Sequence, residues 1–254
     1  MFAKARKMFY RARGYYGGQL NGIPFRLDPY HSKFWRKASA NDWEPETFRV
    51  LDRYLSKDGD YLDIGAWIGP TVLYGAHKAR HVWCFEPDPV AYRHLAWNLD
   101  LNSIRNVSSF SVALSDGFGV ARMASFGGEA GDSMTSLLND NDAHGHDVLT
   151  IGWEQFCDST DLSGVSLVKM DIEGAEFSVL STLLPWLRAH RPALYLSTHA
   201  PFLPEAERAD RMGQLFDALS FYATCTDAKG TPITRDDMIS DPILTRFPTF
   251  VFSD

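Results

Sequence analysis

The fold is decided by two stretches, Tyr61-Leu-Asp-Ile-Gly-Ala-Trp-Ile-Gly69 and Val82-Trp-Cys-Phe-Glu-Pro-Asp-Pro89. In the first, an apolar strand runs into a glycine turn and then a helix. The second is another apolar strand, and it stops on an acid, Glu86. The interval of about 20 residues between turn and acid is that of a nucleotide-binding βαβ unit. Glycines let backbone approach a ligand closely, and an acid at the second strand tip can hold a ribose diol. The spacing also separates ligand classes. A dinucleotide loop is G-x-G-x-x-G, whereas Gly65 and Gly69 follow Asp63 in a D-x-G-x-x-x-G pattern. That loop is wider and carries an extra acid. An anion at position 86 also disfavours a 2′-phosphate.

Outward from this unit the chain alternates strands and helices. Strands are expected at 61–65, 81–86, 107–114, 165–170 and 193–198, with helices at 69–78, 89–101, from about 175 to 190, and 205–219. This is the pattern of an α/β domain with a mostly parallel sheet covered on both faces. Two β-rich pieces, 221–226 and 247–252, fit an antiparallel hairpin at one edge. The expected organisation is an N-terminal extension over 1–45 and one Rossmann-like domain over 46–254. In the extension, a basic helix precedes a hairpin over 19–37 that turns at Asn21-Gly22. Trp43-Glu44-Pro45-Glu46 then opens a helix running to about Leu55, with proline at a first helical position. Residues 117–160 read as an irregular insertion. Its first part, to residue 147, is rich in Gly, Ser, Asn and Asp, with room for one hairpin, and order resumes at Ile151.

Composition narrows the function. The chain has 254 residues, 45% of them hydrophobic, enough for a buried core. Its net charge of −7 argues against a general nucleic-acid binder. Cys84, Cys157 and Cys225 are dispersed and form no C-x-x-C pair, which fits a reduced cytoplasmic compartment better than a zinc site. No apolar run is long enough to span a bilayer. The start of the chain is different: Lys4, Arg6, Lys7, Arg11 and Arg13 interleave with Phe2, Met8, Phe9 and Tyr10, with no acid before Asp28. Such a helix can lie on the anionic inner face of a membrane or meet an acidic partner. It can equally pack its aromatics on its own domain.

Three further places can carry chemistry. Ser115-Asp116 ends the third strand, where a short acid can accept from an adenine amino group, although Ser, Asp and Gly also make ordinary turns. Lys169-Met-Asp-Ile-Glu-Gly-Ala-Glu176 puts Lys169, Asp171 and Glu173 on one face if the strand persists to Glu173. Ionisable groups closing an apolar run are costly unless paired or functional. Glu176 reads as a complement to the dipole of the helix that follows. His199 closes the next strand, beside Asp171. Together Asp171, Glu173 and His199 supply a proton acceptor or, alternatively, the ligands of a divalent ion. His144 and His146 in the insertion are too weak a metal signal to be given a role. Tyr30, Phe34 and Trp35 can stack on a sugar or simply fill the core.

The loop at Asp63–Gly69 resembles the S-adenosylmethionine (SAM) loop of class I methyltransferases. The match widens with Trp43-Glu-Pro-Glu46, Phe85-Glu-Pro-Asp88, Val112-Ala-Leu-Ser-Asp116 and Lys169–Glu176. Together these motifs are similar to the FkbM family of SAM-dependent methyltransferases, from about residue 25 to 200. The resemblance implies a Rossmann-like methyltransferase fold and, usually, methylation of a hydroxyl. Family substrates include sugars, polysaccharides and polyketide-type metabolites. By position it implies SAM contacts from Asp63, Gly65, Gly69 and Glu86, with Ser115 and Asp116 near the adenine and Glu46 facing the pocket. Asp171, Glu173 and His199 would face a small-molecule or glycan acceptor, with His199 or Asp171 as the base. Trp67 stands where the family usually has Asn, so one polar loop contact is lost. The leading expectation is an O-methyltransferase of a sugar or glycan. The alternatives are methylation of a secondary metabolite and a binding module without turnover.

Overall fold

The computed structural model describes residues 2–125, 131, 135–136 and 145–254. The chain opens with α1 (Phe2–Arg13), the hairpin β1 (Tyr16–Leu20) and β2 (Ile23–Leu27), and α2 (Ser32–Ser39). Asn21 and Gly22 both take positive φ, 44° and 83°, the two-residue turn that suits strand twist. The hairpin therefore forms as expected but is shorter than 19–37. Ser32, Trp35 and Ala38, spaced three apart, bury one helical face and turn the rest of that stretch into α2. Asp28 caps the entry by accepting the Tyr30 and His31 amides and Trp35 Nε1.

Next come α3 (Pro45–Tyr54), β3 (Asp60–Ile64), α4 (Pro70–Lys78), β4 (Val82–Phe85), α5 (Pro89–Leu101) and β5 (Val107–Phe110). The helix starts follow local chemistry: Pro45, Pro70 and Pro89 each sit in a first turn, and Asp88 accepts the amides of Val90 and Ala91. A lateral excursion follows, made of β6 (Ala113–Ser115), β7 (Gly119–Ser125), β8 (Thr135–Ser136), β9 (His146–Gly152) and α6 (Trp153–Asp158). The chain then returns through β10 (Val165–Met170), α7 (Glu176–His190), β11 (Ala193–Ser197), α8 (Arg208–Ala218) and β12 (Thr224–Asp227). It closes with one-turn helices α9 (Arg235–Met238) and α10 (Asp241–Leu244), then β13 (Thr249–Ser253).

The main sheet has the order β5-β4-β3-β10-β11-β13-β12. All pairs from β5 to β11 are parallel, and β13 runs antiparallel to both its neighbours, which gives the expected edge hairpin. Alternation along the strands feeds two cores. Tyr61, Leu167 and Tyr195 face α3, α4 and α5, and Leu20, Leu27 and Trp35 of the extension join the same cluster. Leu62, Val168 and Leu194 face α6, α7 and α8. From β3 the chain winds one way to β4 and β5, and from β10 the other way to β11. The carboxyl ends of β3 and β10 therefore flank the switch point where such sheets bind ligands.

Two expectations change. The strand expected over 107–114 breaks after Phe110. Ala113–Ser115 leaves the sheet edge and pairs in parallel with β9 in a four-stranded sheet of order β6-β9-β7-β8. This gives the chain beyond the β5 edge a partner. Order in the insertion resumes at His146 rather than Ile151, because β9 pairs with β7 from Met123↔His146 to Gly119↔Thr150. His144 lies outside the described residues. No helix among the described residues is long and apolar enough to cross a membrane.

Candidate active site

A cleft of about 490 Å³ opens at the switch point, walled by Gly65–Trp67 after β3, Glu86 after β4, Asp171–Glu173 after β10 and His199 after β11. The Gly65 loop is held by two amides, Gly65 N and Ala66 N, which both donate to the Phe85 carbonyl at 3.0 Å. Gly65 has φ 90°, and a Cβ there would lie 1.9 Å from the Asp171 carbonyl oxygen. The glycine thus lets the β3 and β10 loops touch, besides lining the cleft.

Two residues expected to touch cofactor sit beneath the surface instead. Gly69 begins α4 with φ 92°, and a Cβ there would meet Leu95 Cδ1 at 2.6 Å; it is a packing glycine. Asp63 is fully buried. Its carboxylate accepts from Tyr61 Oη at 2.9 Å and Thr71 Oγ1 at 2.5 Å, and pairs with Lys169 Nζ at 3.3 Å. These three donors use the oxygens inside the sheet, and it is Thr71 and Lys169 that reach the cleft. Lys169 Nζ also donates to the Gly65 carbonyl at 3.1 Å and lies 3.5 Å from Asp171 Oδ2. Burial opposes its charge, but Asp63 and Asp171 outweigh burial and raise its pKa.

Glu86 is where the sequence places it. Its Oε2 accepts Trp67 N at 2.7 Å and its Oε1 accepts Asp88 N at 2.8 Å. Each oxygen keeps a second lone pair, the complement of a vicinal diol. Burial pushes its pKa up to about 7 against the pull of those two amides. Trp67 does more than omit a polar contact. With φ 47° it caps the loop, and its Nε1 donates to the Gly131 carbonyl at 3.0 Å. Gly131 N in turn donates to Asp88 Oδ2 at 2.9 Å, so the insertion is tied to the cleft at that point. The indole also packs edge-on against Phe34, with centroids 4.6 Å apart.

Asp171, Glu173 and His199 do converge, by a different route from strand alternation. β10 ends at Met170, and Glu173 and Gly174 take φ 52° and 101°. This curl brings Glu173 Oε2 to 3.4 Å and Asp171 Oδ1 to 3.6 Å from His199 Nε2. Behind them stands Glu176, which is fully buried. Its Oε1 accepts His199 N at 2.7 Å and lies 3.2 Å from His199 Nδ1, while its Oε2 accepts Gly174 N at 2.8 Å. The dipole role expected of Glu176 is therefore secondary; it fixes the imidazole and turns Nε2 to the cleft. Burial disfavours the imidazolium, but Glu176 first, then Asp171 and Glu173, lift the His199 pKa to about 9. Burial raises Glu173 to about 7, with His199 opposing and Asp171 adding.

Other expected site residues lie outside the cleft lining. Glu46 turns to Arg49, whose Nη2 lies 2.7 Å from its carboxylate, because it is one helical step past the cleft rim. The unforeseen Glu44, at left-handed φ 39°, lines the cleft in its place. Desolvation by the surrounding protein, then Asp171, raises its pKa, although its open face lets cleft water screen part of that effect. Ser115 and Asp116 follow β6 into the second sheet and border a separate groove beside α7. Of the aromatics, Phe34 lines the cleft, Trp35 is core and Tyr30 is exposed outside it. Trp43 and Phe247 line it too; the sequence marks Trp43 only as the start of a motif and gives neither a place at the cleft, since each comes from a connection whose path the sequence does not fix.

The sheet order and this cleft are those expected of a class I methyltransferase. The chain matches the family model "Methyltransferase FkbM domain" over residues 63–221 and belongs to that family. Among solved structures it is similar to the methyltransferase FkbM from Methylobacillus flagellatus KT, with 19% identity and a TM-score of 0.49 over 78% of this chain. The match spans 44% of that protein's length. It is also similar to a putative methyltransferase from Streptococcus mutans in complex with SAH, with 11% identity and a TM-score of 0.49 over 81% of this chain and 94% of the other. No curated protein matches the sequence.

Proposed function

We propose that the protein is a SAM-dependent O-methyltransferase acting on a hydroxyl of a sugar or glycan. The observation that carries the reading is the convergence of Asp171, Glu173 and His199 within 4.8 Å of one another, in the cleft that Gly65 and Glu86 also line. Family membership supports the methyl donor. Phe34, Trp43, Trp67 and Phe247 on the cleft wall suit the apolar face of a sugar ring, and the carboxylates suit its hydroxyls. The free cysteines fit a reducing cytoplasm, and the net charge of −7 fits an acceptor other than nucleic acid.

Bound SAM supplies a methyl group already activated by its sulfonium, so the protein's work is chiefly alignment. Glu86 would hold the ribose diol, and the Gly65 loop would admit the cofactor close to backbone. The base expected from sequence is His199 or Asp171. With its pKa near 9, His199 is charged at neutral pH and is not the resting base. Glu173, raised to about 7, is matched to taking a proton from an acceptor hydroxyl at Oε2, with the imidazolium steadying its charge. The same three groups are also a reasonable donor set for a divalent ion.

The reading is tested by thermal protection with SAM and by mass spectrometry of products from a glycan and metabolite panel. Glu86→Ala should weaken SAM binding. Glu173→Gln and Asp171→Asn should spare binding and lower turnover by about 10²–10⁴-fold. Absence of SAM protection would sink the assignment, and a methylated nitrogen or a metabolite acceptor would replace its acceptor. Unchanged turnover after chelation leaves the proton-transfer scheme standing, and loss restored by one added cation moves the cluster to metal binding.

A further inference from the structure

Charge is very unevenly distributed along this chain. Residues 1–37 hold nine lysines and arginines and one acid, Asp28, a net charge of +8; the remaining residues carry 16 bases against 31 acids, a net of −15. Asp28 does not offset the bases outside, because it is fully buried among the amides, His31 and Trp35 Nε1 that it serves. The bases are outside. Arg6, Lys7, Arg11 and Arg13 on α1 and Lys33, Arg36 and Lys37 on α2 are all exposed, and none pairs with an acid among the described residues. Arg6 and Lys7 share one shallow groove with Lys33 and Arg36, so the two helices present their charge side by side.

α1 also carries unburied apolar groups, on the side turned away from that groove. Met8 and Phe9 on α1 are 65% and 58% exposed. Of the side chains described on α1, only Tyr10 is partly buried, edge-on against Tyr16 at 5.0 Å. A 12-residue helix with so little packing is marginal in water, the more so with four like charges along its described part. A surface offering both anionic groups and an apolar boundary supplies what it lacks.

We propose that α1 and the basic face of α2 dock on an anionic lipid bilayer. Bases approach the headgroups while Met8 and Phe9 enter the boundary beneath them. The acidic remainder of the molecule is repelled, which fixes the orientation. Lys37 and Phe34 of α2 also line the active cleft, so docking sets the cleft mouth beside the lipid surface. A soluble polyanion would need the bases alone; the exposed Met8-Phe9 pair favours the bilayer.

The test is co-sedimentation of the full chain with phosphatidylcholine vesicles, with and without phosphatidylglycerol. Binding is expected only with the anionic lipid, falling as salt rises. Each base near the surface is worth roughly fivefold in partitioning. Lys33→Glu with Arg36→Glu should therefore weaken binding by at least about tenfold. Met8→Ser with Phe9→Ser should weaken it several-fold with every charge in place. Thermal unfolding and SAM protection of these variants should match the parent, which separates docking from the methyltransferase reading. Equal binding to both vesicles, or no effect of either double variant, overturns the proposal. So does binding to heparin in solution with no binding to vesicles.

Discussion

Glu176 is the residue through which the site is most easily disturbed without touching a ligand. Its carboxylate receives His199 N, His199 Nδ1 and Gly174 N, so one side chain sets the imidazole, the strand end behind it and the curl that carries Glu173. Glu176→Ala would leave those donors unmet in a fully buried place, and a stability loss of about 3–5 kcal/mol is expected from denaturant unfolding. Glu176→Gln is the sharper probe, because it keeps shape and most hydrogen bonding while removing the charge. The His199 pKa should then fall from about 9 toward its ordinary 6.5, read by NMR titration of the ring. An imidazole still titrating near 9 in that variant would assign its charge to Asp171 and Glu173 instead. Gly65→Ala makes a second residue-scale case. Its Cβ would lie 1.9 Å from the Asp171 carbonyl at a φ of 90°, so backbone must move. The expected result is loss of SAM binding together with several kcal/mol of stability, on the order of the overpacking and left-handed strain costs combined.

At the scale of elements, what could be read from the sequence divides along a physical line. Strands buried on both faces, such as β3, β10 and β11, announce themselves as apolar runs closed by turn residues, and their ends fall within a residue or two of expectation. The βαβ spacing therefore located Glu86, and the apolar run before Asp171 located the cluster. Positions governed by loop curvature could not be read this way. The resemblance implies Glu46 at the cleft, yet Glu44 stands there, because residue 44 takes a left-handed turn that its residue type does not announce. Ser115 and Asp116 close the third strand only if the chain stays in one sheet, and here it changes sheets. The resemblance implies Asp63 as a cofactor contact from its place ahead of Gly65, whereas its carboxylate is buried and paired with Lys169, from a strand about a hundred residues later. Trp67 belongs to this scale as well, since its indole ties the β3 loop to the insertion through Gly131. Trp67→Phe keeps the ring against Phe34 and removes the Nε1 donor. A net loss of about 1 kcal/mol in holding that segment is expected, seen as a roughly fivefold weaker SAM affinity by calorimetry. An unchanged affinity would mean that the tie does not serve the cofactor.

The whole molecule answers to pH through groups gathered at one cleft. Burial raises Glu86 and Glu173 from an ordinary 4.5 to about 7, and Glu176 and its neighbours raise His199 from 6.5 to about 9 against burial. In all three the folded state holds its proton more tightly than the unfolded chain. Their stabilising contribution is therefore complete below the unfolded pKa and disappears as pH rises through the folded one. The two glutamates lose theirs between about 4.5 and 7, and His199 between about 6.5 and 9. Asp28 acts in the opposite sense: its pKa is lowered because His31, His94 and Trp35 outweigh its burial, and its contribution disappears only in acid. The protein without ligand should thus be most stable near the acid end of the physiological range and weaken toward pH 9. SAM protection should grow as Glu86 ionises, since a charged carboxylate binds a diol better than a neutral one. The site is accordingly built at the expense of stability at the pH where Glu173 becomes a base. Glu173→Gln isolates this effect. In metal-stripped protein it should leave unfolding free energy unchanged near pH 4.5 and raise it at pH 8 by up to about 3 kcal/mol, the equivalent of its shift. Denaturant unfolding at the two pH values, on parent and variant, reads this directly. A variant less stable than the parent at pH 8 would show instead that His199 holds Glu173 ionised, and the proton acceptor would then be sought at Asp171.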